Sequence, residues 1–264
     1  MTAAANVVAG QEINQDSTGV LAVTIGTADV DVNLTTIAGS ALSSVTVTED
    51  VVFTGTLFRF LPTIIYQNAT LEIAASKITG LTINGDGALI VKALAANTNL
   101  ENVNPGGGVT AHIEANRDIT ANAKLGNVDT YVVSSGFTLT ATGAQLNGKT
   151  VSGDGIVIVT GVTAEHNLDN INPSGGVTIT SADGSDLTGG GDLSTTVTYT
   201  IPSGFSMTAG ADQLDGVAVV GEGTLIVINT ATGALDLSKL TVGVVDVTGA
   251  DLSNAAVTWM IVAA

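Results

Sequence analysis

Three acidic residues recur at regular positions in the sequence, each between two glycines. They are Asp86 in GDG at 85–87, Asp154 in GDG at 153–155 and Glu222 in GEG at 221–223. Carboxylate oxygens are preferred calcium ligands, so stacked copies of this tripeptide would form a calcium-binding row. The alternative is that the glycines form tight turns and leave the acid between them in solvent. We favour the turns and keep the three acids as calcium candidates.

A second group of oxygen ligands lies in the segment DVDVN. Alternation along a strand would place Asp29, Asp31 and Asn33 on one face, where they could bind a hard cation. The segment lacks the glycine and the terminal glutamate of an EF-hand loop, which excludes that class of site. An exposed polar strand face is the simpler interpretation. Calcium is the one ion that these residues suggest, and we expect no other cofactor.

The remaining reactive residues form no recognisable catalytic or metal site. His112 and His166 lie in no metal-ligand spacing and beside no nucleophile, so we expect them at the surface or in turns. The chain has no cysteine, which excludes disulfides and thiolate chemistry. The segment SADGSDLTGGGD at 181–192 resembles one turn of a glycine-rich calcium array, but a single imperfect copy predicts an ordinary loop.

An enzyme acting on polysaccharides would need clustered acids with basic residues on one face of the fold. The two arginines, Arg59 and Arg117, are far apart in sequence, the lysines are scattered and the repeats contain no aromatic platform for a sugar. We therefore expect the protein not to be an enzyme.

The charge of the chain excludes several classes of partner. The sequence has 24 acidic against 7 basic residues, a net charge of -17. Such a chain repels phosphate backbones and anionic lipids, so we expect no nucleic acid as a partner. The sequence contains no run of 18 apolar residues, so we expect no insertion into a membrane. The N-terminal segment has neither the basic nor the apolar region of a secretory signal, so export would follow another route.

The sequence contains a long internal repeat. Residues 69–136 align without a gap onto residues 137–204, so that Gly85 aligns with Gly153. A third, shortened copy occupies residues 205–264, and residues 1–68 are a diverged N-terminal region. Internal repetition at a fixed period is typical of solenoids and other repeat folds.

Short alternating runs predict the secondary structure of each repeat. FTLTA, GIVIV and VTITS alternate apolar and polar residues and are bounded by turn residues, which indicates strands, about six per repeat. The fold class is therefore all-β. A parallel β-solenoid, with coils of about 20 to 24 residues and about three coils per repeat, explains the period best. Tandem β-sandwich domains are the alternative, but they call for more aromatic residues and for linkers.

Two segments depart from this pattern and are candidates for an assembly interface. Residues 53–68 hold four of the nine aromatic residues, including Phe58, Phe60 and Tyr66, and read as an insertion that caps the core or forms a contact. The apolar segment VTWMIVAA near the C-terminus contributes Trp259, Met260 and Ile261. We expect these six residues to meet in contacts between copies of the chain.

Threonine-rich runs such as TVTYT at 196–200 raise the question of ice binding. A flat row of threonines that orders water requires threonine pairs at the spacing of one coil. The aligned copies do not keep the pairs, because TVTYT aligns with VDTYV in the preceding copy. The repeat alignment therefore argues against an ice-binding face.

The segment TAGADQLDGVAVVGEGTLIV at 208–227, with its looser copy at 140–159, resembles the repeats of very large secreted bacterial surface proteins of the adhesin, matrix or surface-layer kind. The resemblance covers about residues 69–230 and implies an extracellular or cell-surface location and a structural role. We expect a subunit that assembles with itself into a filament, sheet or surface layer. The alternative is an adhesin or phage-fibre module that recognises a cell-surface glycan or a receptor.

Overall fold

A computed structural model of the chain describes residues 2–8, 21–27, 31–36, 42–57, 61–163, 165–188, 197–253 and 256–259. The regular secondary structure of the described residues is almost entirely β-strand, and the strands pair in parallel. They confirm the predicted parallel β-solenoid. The sandwich alternative is wrong, because the sheets of a sandwich are antiparallel.

The strands are short, mostly of three to five residues. In chain order up to Asp118 they are β1 (Thr2–Ala4), β2 (Leu21–Ile25), β3 (Leu42–Val47), β4 (Val51–Phe53), β5 (Thr63–Ile65), β6 (Thr70–Ala74), β7 (Ile83–Gly85), β8 (Ala88–Lys92), β9 (Val109–Ile113) and β10 (Arg117–Asp118). The later strands are β11 (Thr130–Val133), β12 (Thr138–Thr142), β13 (Thr150–Gly153), β14 (Ile156–Val162), β15 (Val177–Ser181), β16 (Ser185–Asp186), β17 (Val197–Ile201), β18 (Ser206–Gly210), β19 (Ala218–Gly221), β20 (Thr224–Thr230), β21 (Leu235–Leu237), β22 (Leu240–Thr241), β23 (Val244–Asp251) and β24 (Val257–Trp259).

Helical structure is confined to single turns between strands. The α-helical turns are α1 (Ala5–Val8), α2 (Ala75–Ile78) and α3 (Gly143–Leu146), and 3-10 turns occur at Leu34–Thr36, Ala123–Leu125 and Asp212–Leu214. Thr142 caps α3: its hydroxyl accepts from the Gln145 amide, and the Gln145 side chain bonds back to the Thr142 backbone. This capping box fixes the direction in which the chain leaves β12.

The chain divides into two compact units. The first comprises residues up to Arg117 together with Ala121–Ser134, and the second comprises Asp118–Thr120 and the residues from Ser135 onward. In the first unit, one sheet has the order β1-β2-β3-β5-β7, and β4, β6, β8, β9 and β11 are neighbours in another. In the second unit, the order β12-β14-β15-β17-β19-β22 forms the longest run of strands, beside a sheet of order β16-β18-β20-β23 and the pair β21-β24.

The register of these sheets defines the coils. In the second unit Leu139 pairs with Val157, which pairs with Val177, which pairs with Val197. The first of these three coils is slightly shorter than the other two, which are equal in length. In the first unit the same short and long steps occur from Leu71 to Leu89 and from Leu89 to Val109.

The pleat of the strands explains why these sequences form coils with an apolar core. Successive side chains point to opposite faces of a strand, so every second residue faces inward. The inward residues Leu71, Leu89, Leu139 and Val157 are completely buried. Each buried aliphatic side chain of this kind contributes about 1.5–3 kcal/mol to stability. The core is thus built mainly from the aliphatic side chains of Val, Ile, Leu and Ala.

The sequence repeat and the coil have different lengths. Residues 69–136 hold six strands, β6 to β11, and the described part of residues 137–204 holds β12 to β17, which confirms the predicted number. The repeat is slightly longer than the predicted three coils, because three coils from Leu139 end at Val197, before Met207, the residue that aligns with Leu139 in the next copy. Met207 lies in β18 of a different sheet and pairs with Leu225.

The aromatic-rich segment at 53–68 includes residues of two regular strands of the solenoid, β4 and β5. Phe53 ends β4 and is 1% exposed, and β5 pairs with β3 and β7 as a regular strand. Both ends of the segment therefore belong to regular coils, which corrects the interpretation from sequence. Phe58 and Phe60 lie outside the described residues.

Candidate functional site

The three G-x-G tripeptides form corners of the coil. Gly85 and Gly221 have backbone φ angles of 103° and 115°, which residues other than glycine rarely adopt. A Cβ atom would also collide with a backbone oxygen of the preceding coil, that of Ile65 at Gly85 and that of Ile201 at Gly221. The glycines are therefore required by the backbone, as the turn interpretation states.

The acids between these glycines do not stack into a row of carboxylates. Asp86, Asp154 and Glu222 are exposed. At the corner of Asp154, the next coil presents Ser174, whose Oγ donates to the Asp154 carboxylate at 2.7 Å. At the corner of Glu222, the preceding coil presents Pro202. The described residues contain no group of three or more acidic or histidine side chains that could hold a metal ion.

The second calcium candidate forms a turn instead of a ligand row. Asp29 lies outside the described residues. Asp31 is exposed, and Asn33 uses its Oδ1 to accept from the amide and hydroxyl of Thr35, at 3.0 and 2.6 Å. The Asn33 side chain thereby stabilises the turn that follows it.

The same turn recurs with aspartate and could have been found in the sequence. In the pattern Asp, apolar residue, Thr or Ser, the carboxylate accepts from the amide and hydroxyl two residues on. It occurs at Asp118, Asp186 and Asp246, for example, with O···O distances of 2.5 to 2.7 Å to the threonine hydroxyl. Because these hydrogen bonds stabilise the charged form, each carboxyl pKa lies below its usual value.

A further set of aspartates links one coil to the next. Asp50 accepts from the Thr70 amide at 2.7 Å, and Asp212 accepts from the Thr232 amide at 2.9 Å and from its hydroxyl at 2.7 Å. Both partners are 20 residues away, one coil along the chain. These hydrogen bonds satisfy backbone donors at the corners, where the sheet ladder is interrupted. Part of the acidity of the chain is therefore structural.

The histidines take the surface and turn positions expected of them. His112 faces outward on β9, and the His166 ring accepts through Nδ1 from the Thr163 amide at 3.1 Å.

In the first unit, Lys92 forms ion pairs with Glu72 at 2.8 Å and with Glu114 at 3.3 Å. The hydrogen bond to Glu72 raises the pKa of Lys92.

The strand β23 forms an open edge of its sheet, which we call the β23 edge. With eight residues, it is the longest described strand, and it pairs with β20 on one side. On the other side, no strand pairs with it in the part of the chain that the structure describes. Val244 is 54% exposed and Val247 is 37% exposed, whereas Leu225 and Val227 of β20 are buried. The β23 edge is thus much less covered than the strand beside it.

The predicted assembly residues lie in three different settings. Tyr66 is 57% exposed at the corner before β6. Trp259 is the last residue of β24 and pairs through its backbone with Leu237. Met260 and Ile261, like Phe58 and Phe60, lie outside the described residues.

Comparison with known proteins adds no assignment. Among the described residues, no helix is long and apolar enough to cross a membrane. No family model, curated protein or solved structure matches the chain.

Proposed function

We propose that the protein is an extracellular structural subunit that assembles with copies of itself into a filament, sheet or surface layer. The β23 edge is the observation that carries this proposal. An open strand edge presents a row of backbone donors and acceptors that a strand of another molecule can pair with. The eight residues of β23 offer a longer template than any other described strand.

The composition of the β23 edge favours a regulated contact. Soluble proteins commonly block open edges with lysine or proline, and β23, VVDVTGAD, contains neither. It carries Asp246 and Asp251 instead, together with a register shift between Ile226 and Ile228 of the neighbouring strand. Repulsion between subunits that each carry a net charge of -17 would keep them apart, and a divalent cation such as calcium would weaken that repulsion. Calcium therefore enters the proposal as a trigger of assembly.

The aromatic segment of a second copy is the proposed partner of this edge. Tyr66 is 57% exposed, and Val52 on β4 is 56% exposed, so apolar surface is available in this region of the first unit. The prediction from sequence that Phe58, Phe60, Trp259, Met260 and Ile261 contribute to contacts between copies stays part of this proposal. A contact between two different surfaces of the same chain repeats without closing, which produces open polymers.

The test compares two substitutions of similarly exposed apolar residues. The double variant Val244→Lys and Val247→Lys places two charges on the β23 edge. The control Ile156→Lys changes a residue that is 44% exposed on β14, a strand paired on both sides. Electron microscopy and light scattering, with and without millimolar calcium, should show polymers for the wild type and the control and isolated molecules for the double variant.

Two outcomes would contradict the proposal. Polymers that persist in the double variant would exclude the β23 edge as the contact. A wild-type protein that stays monomeric in every condition would exclude self-assembly, and would favour the adhesin or fibre module that binds a glycan or receptor.

A further inference from the structure

The outward face of the longest sheet in the second unit carries two columns of threonines, which we call the threonine face. The first column contains Thr140, Ile158, Thr178, Thr198 and Ala218, and the second contains Thr142, Thr160, Thr180, Thr200, Val220 and Thr241. Eight of these eleven positions are threonine, and none is charged. In a chain of net charge -17, a neutral surface of this length is unusual.

The alignment of the repeats does not reveal these columns, because it compares residues one repeat apart and the members of a column are one coil apart. Neighbours in a column are one coil apart, as Thr142 is from Thr160 and Thr180 is from Thr200. The repeat interval falls between three coils, which lead from Thr140 to Thr198, and four coils, which lead to Ala218. It therefore leads from β12 to β18 in another sheet. Threonine pairs at the spacing of a coil, which an ice-binding face requires, are therefore present.

The hydroxyls of the central threonines are not used by the protein. Thr178, Thr180, Thr198 and Thr200 lie outward and make no side-chain hydrogen bond to any residue that the structure describes. Threonines in the loops differ, since Thr188, for example, donates its hydroxyl to Asp186. These four hydroxyls are therefore available to a ligand or to water. At the β12 end of the face, the Thr142 hydroxyl is used in the cap of α3, and the Thr160 hydroxyl donates to the Ala141 carbonyl at 3.4 Å.

The geometry of the face is regular in two directions. Strands in a sheet lie about 4.8 Å apart, and outward residues along a strand lie about 6.7 Å apart. Threonine is β-branched, so its χ1 angle is restricted and its hydroxyl and methyl groups keep fixed positions. The columns therefore form a rigid grid of alternating hydrogen-bonding and apolar groups, with spacings close to those between equivalent oxygens in hexagonal ice.

A comparison with the first unit separates this face from an ordinary strand surface. Threonine favours strands in general, so strand propensity alone predicts threonines on both units. In the first copy of the repeat, the residues aligned with Thr160, Thr180 and Thr200 are Lys92, His112 and Val132. They lie at outward positions of β8, β9 and β11, on the same kind of sheet. The fold thus accepts other residues at these positions, and only the second unit has threonine at all three.

We propose that the threonine face binds ice, a function that goes beyond self-assembly. An ice surface is a neutral, periodic lattice of water, and a neutral, periodic grid complements it in charge and in spacing. Threonine hydroxyls join the lattice through hydrogen bonds, while the methyl groups between them hold ordered water in place. A charged residue in the array would keep its own hydration shell and would interrupt the lattice. Bound molecules then stop the crystal from growing at the sites they cover.

The test uses a variant whose residues the fold already accepts. Thr160→Lys, Thr180→His and Thr200→Val give the second unit the residues that the first unit has at the aligned positions. The control Thr110→Lys changes an outward threonine of the first unit, which aligns with Thr178. Circular dichroism and thermal unfolding would verify that both variants fold. Val244→Lys with Val247→Lys is measured in parallel, so that loss of assembly is not mistaken for loss of ice binding.

Thermal hysteresis and the shape of ice crystals in solutions of the whole chain are the measurements. We expect hysteresis and faceted crystals for the wild type, for Thr110→Lys and for the edge variant. The triple variant should behave like an inert protein at the same concentration. Absence of hysteresis in the wild type, or full activity in the folded triple variant, would overturn the proposal. Binding of the wild type to crystalline chitin or cellulose, without hysteresis, would also overturn it.

Discussion

The corner glycines allow a graded test of the backbone argument within the second unit. Gly233 is exposed, with a φ angle outside the left-handed region and no atom within 4 Å of an added Cβ. Gly148 has a φ of 68° and equally open surroundings. Gly221 has a φ of 115°, and an added Cβ would collide with the Ile201 carbonyl oxygen. An alanine would therefore meet neither backbone strain nor a collision at Gly233, backbone strain alone at Gly148, and both at Gly221.

Replacement by alanine should give three different changes in the free energy of unfolding. Gly233→Ala should stabilise the protein by about 0.4–1 kcal/mol, because alanine reduces the entropy of the unfolded chain. Gly148→Ala should cost about 1–2 kcal/mol for the left-handed conformation. Gly221→Ala should cost about 3 kcal/mol or more, since backbone strain and displacement of the preceding coil add together.

Thermal unfolding followed by circular dichroism measures these differences. About 2–4 °C of melting temperature corresponds to 1 kcal/mol in chains of this size, so Gly221→Ala should lower it by about 10 °C. A loss at Gly221 no larger than the loss at Gly148 would refute the collision argument. It would also remove the backbone explanation of the G-x-G repeats and return attention to the acids between the glycines.

Three further predictions concern the core, the acidic turns and the ion pairs. Leu139→Ala should destabilise the second unit by about 2–5 kcal/mol in urea unfolding, because Leu139 is completely buried. The pKa of the Asp186 carboxyl is lower in the folded protein than in the unfolded chain. Its stabilising effect should therefore be complete above the unfolded pKa of about 3.9 and should be lost as the pH falls through the folded pKa. Asp186→Asn should remove this part of the acid dependence of unfolding. Lys92→Met should cost less than about 1 kcal/mol, because the ion pairs with Glu72 and Glu114 are partly exposed, and the loss should shrink in high salt.

The class of fold was predictable because it depends on local patterns. Alternation in runs such as FTLTA marks strands, and a glycine pair such as Gly85 and Gly87 marks a corner whatever the global arrangement. The turns at Asp118 and Asp186 were also within reach, since the pattern of Asp, apolar residue and Thr is short and contiguous. These features depend on residues a few positions apart.

The register of the coils was not predictable from the repeat, because register depends on which residues stack one coil apart. The coil from Leu139 to Val157 is shorter than the two that follow it, so no single period describes them. Local alternation is satisfied by any even shift of one strand against the next. For this reason the sequence left open whether Asp154 would stack on another acid or, as the structure shows, on Ser174.

The mismatch between coil and repeat also explains how one chain can carry surfaces of different chemistry. The strands β6, β8, β9 and β11 of the first copy stack in one sheet, and the strands β12, β14, β15 and β17 of the second copy stack in another. The outward columns of the second sheet are therefore built mainly from the second copy, and they continue into the third copy with Ala218, Val220 and Thr241. Substitutions in the first copy alter a different column. The first copy has Lys92 and His112 where the second has Thr160 and Thr180. If each copy supplies its own face, transplanting the threonines into the first copy should create a second ice-binding face and increase the thermal hysteresis.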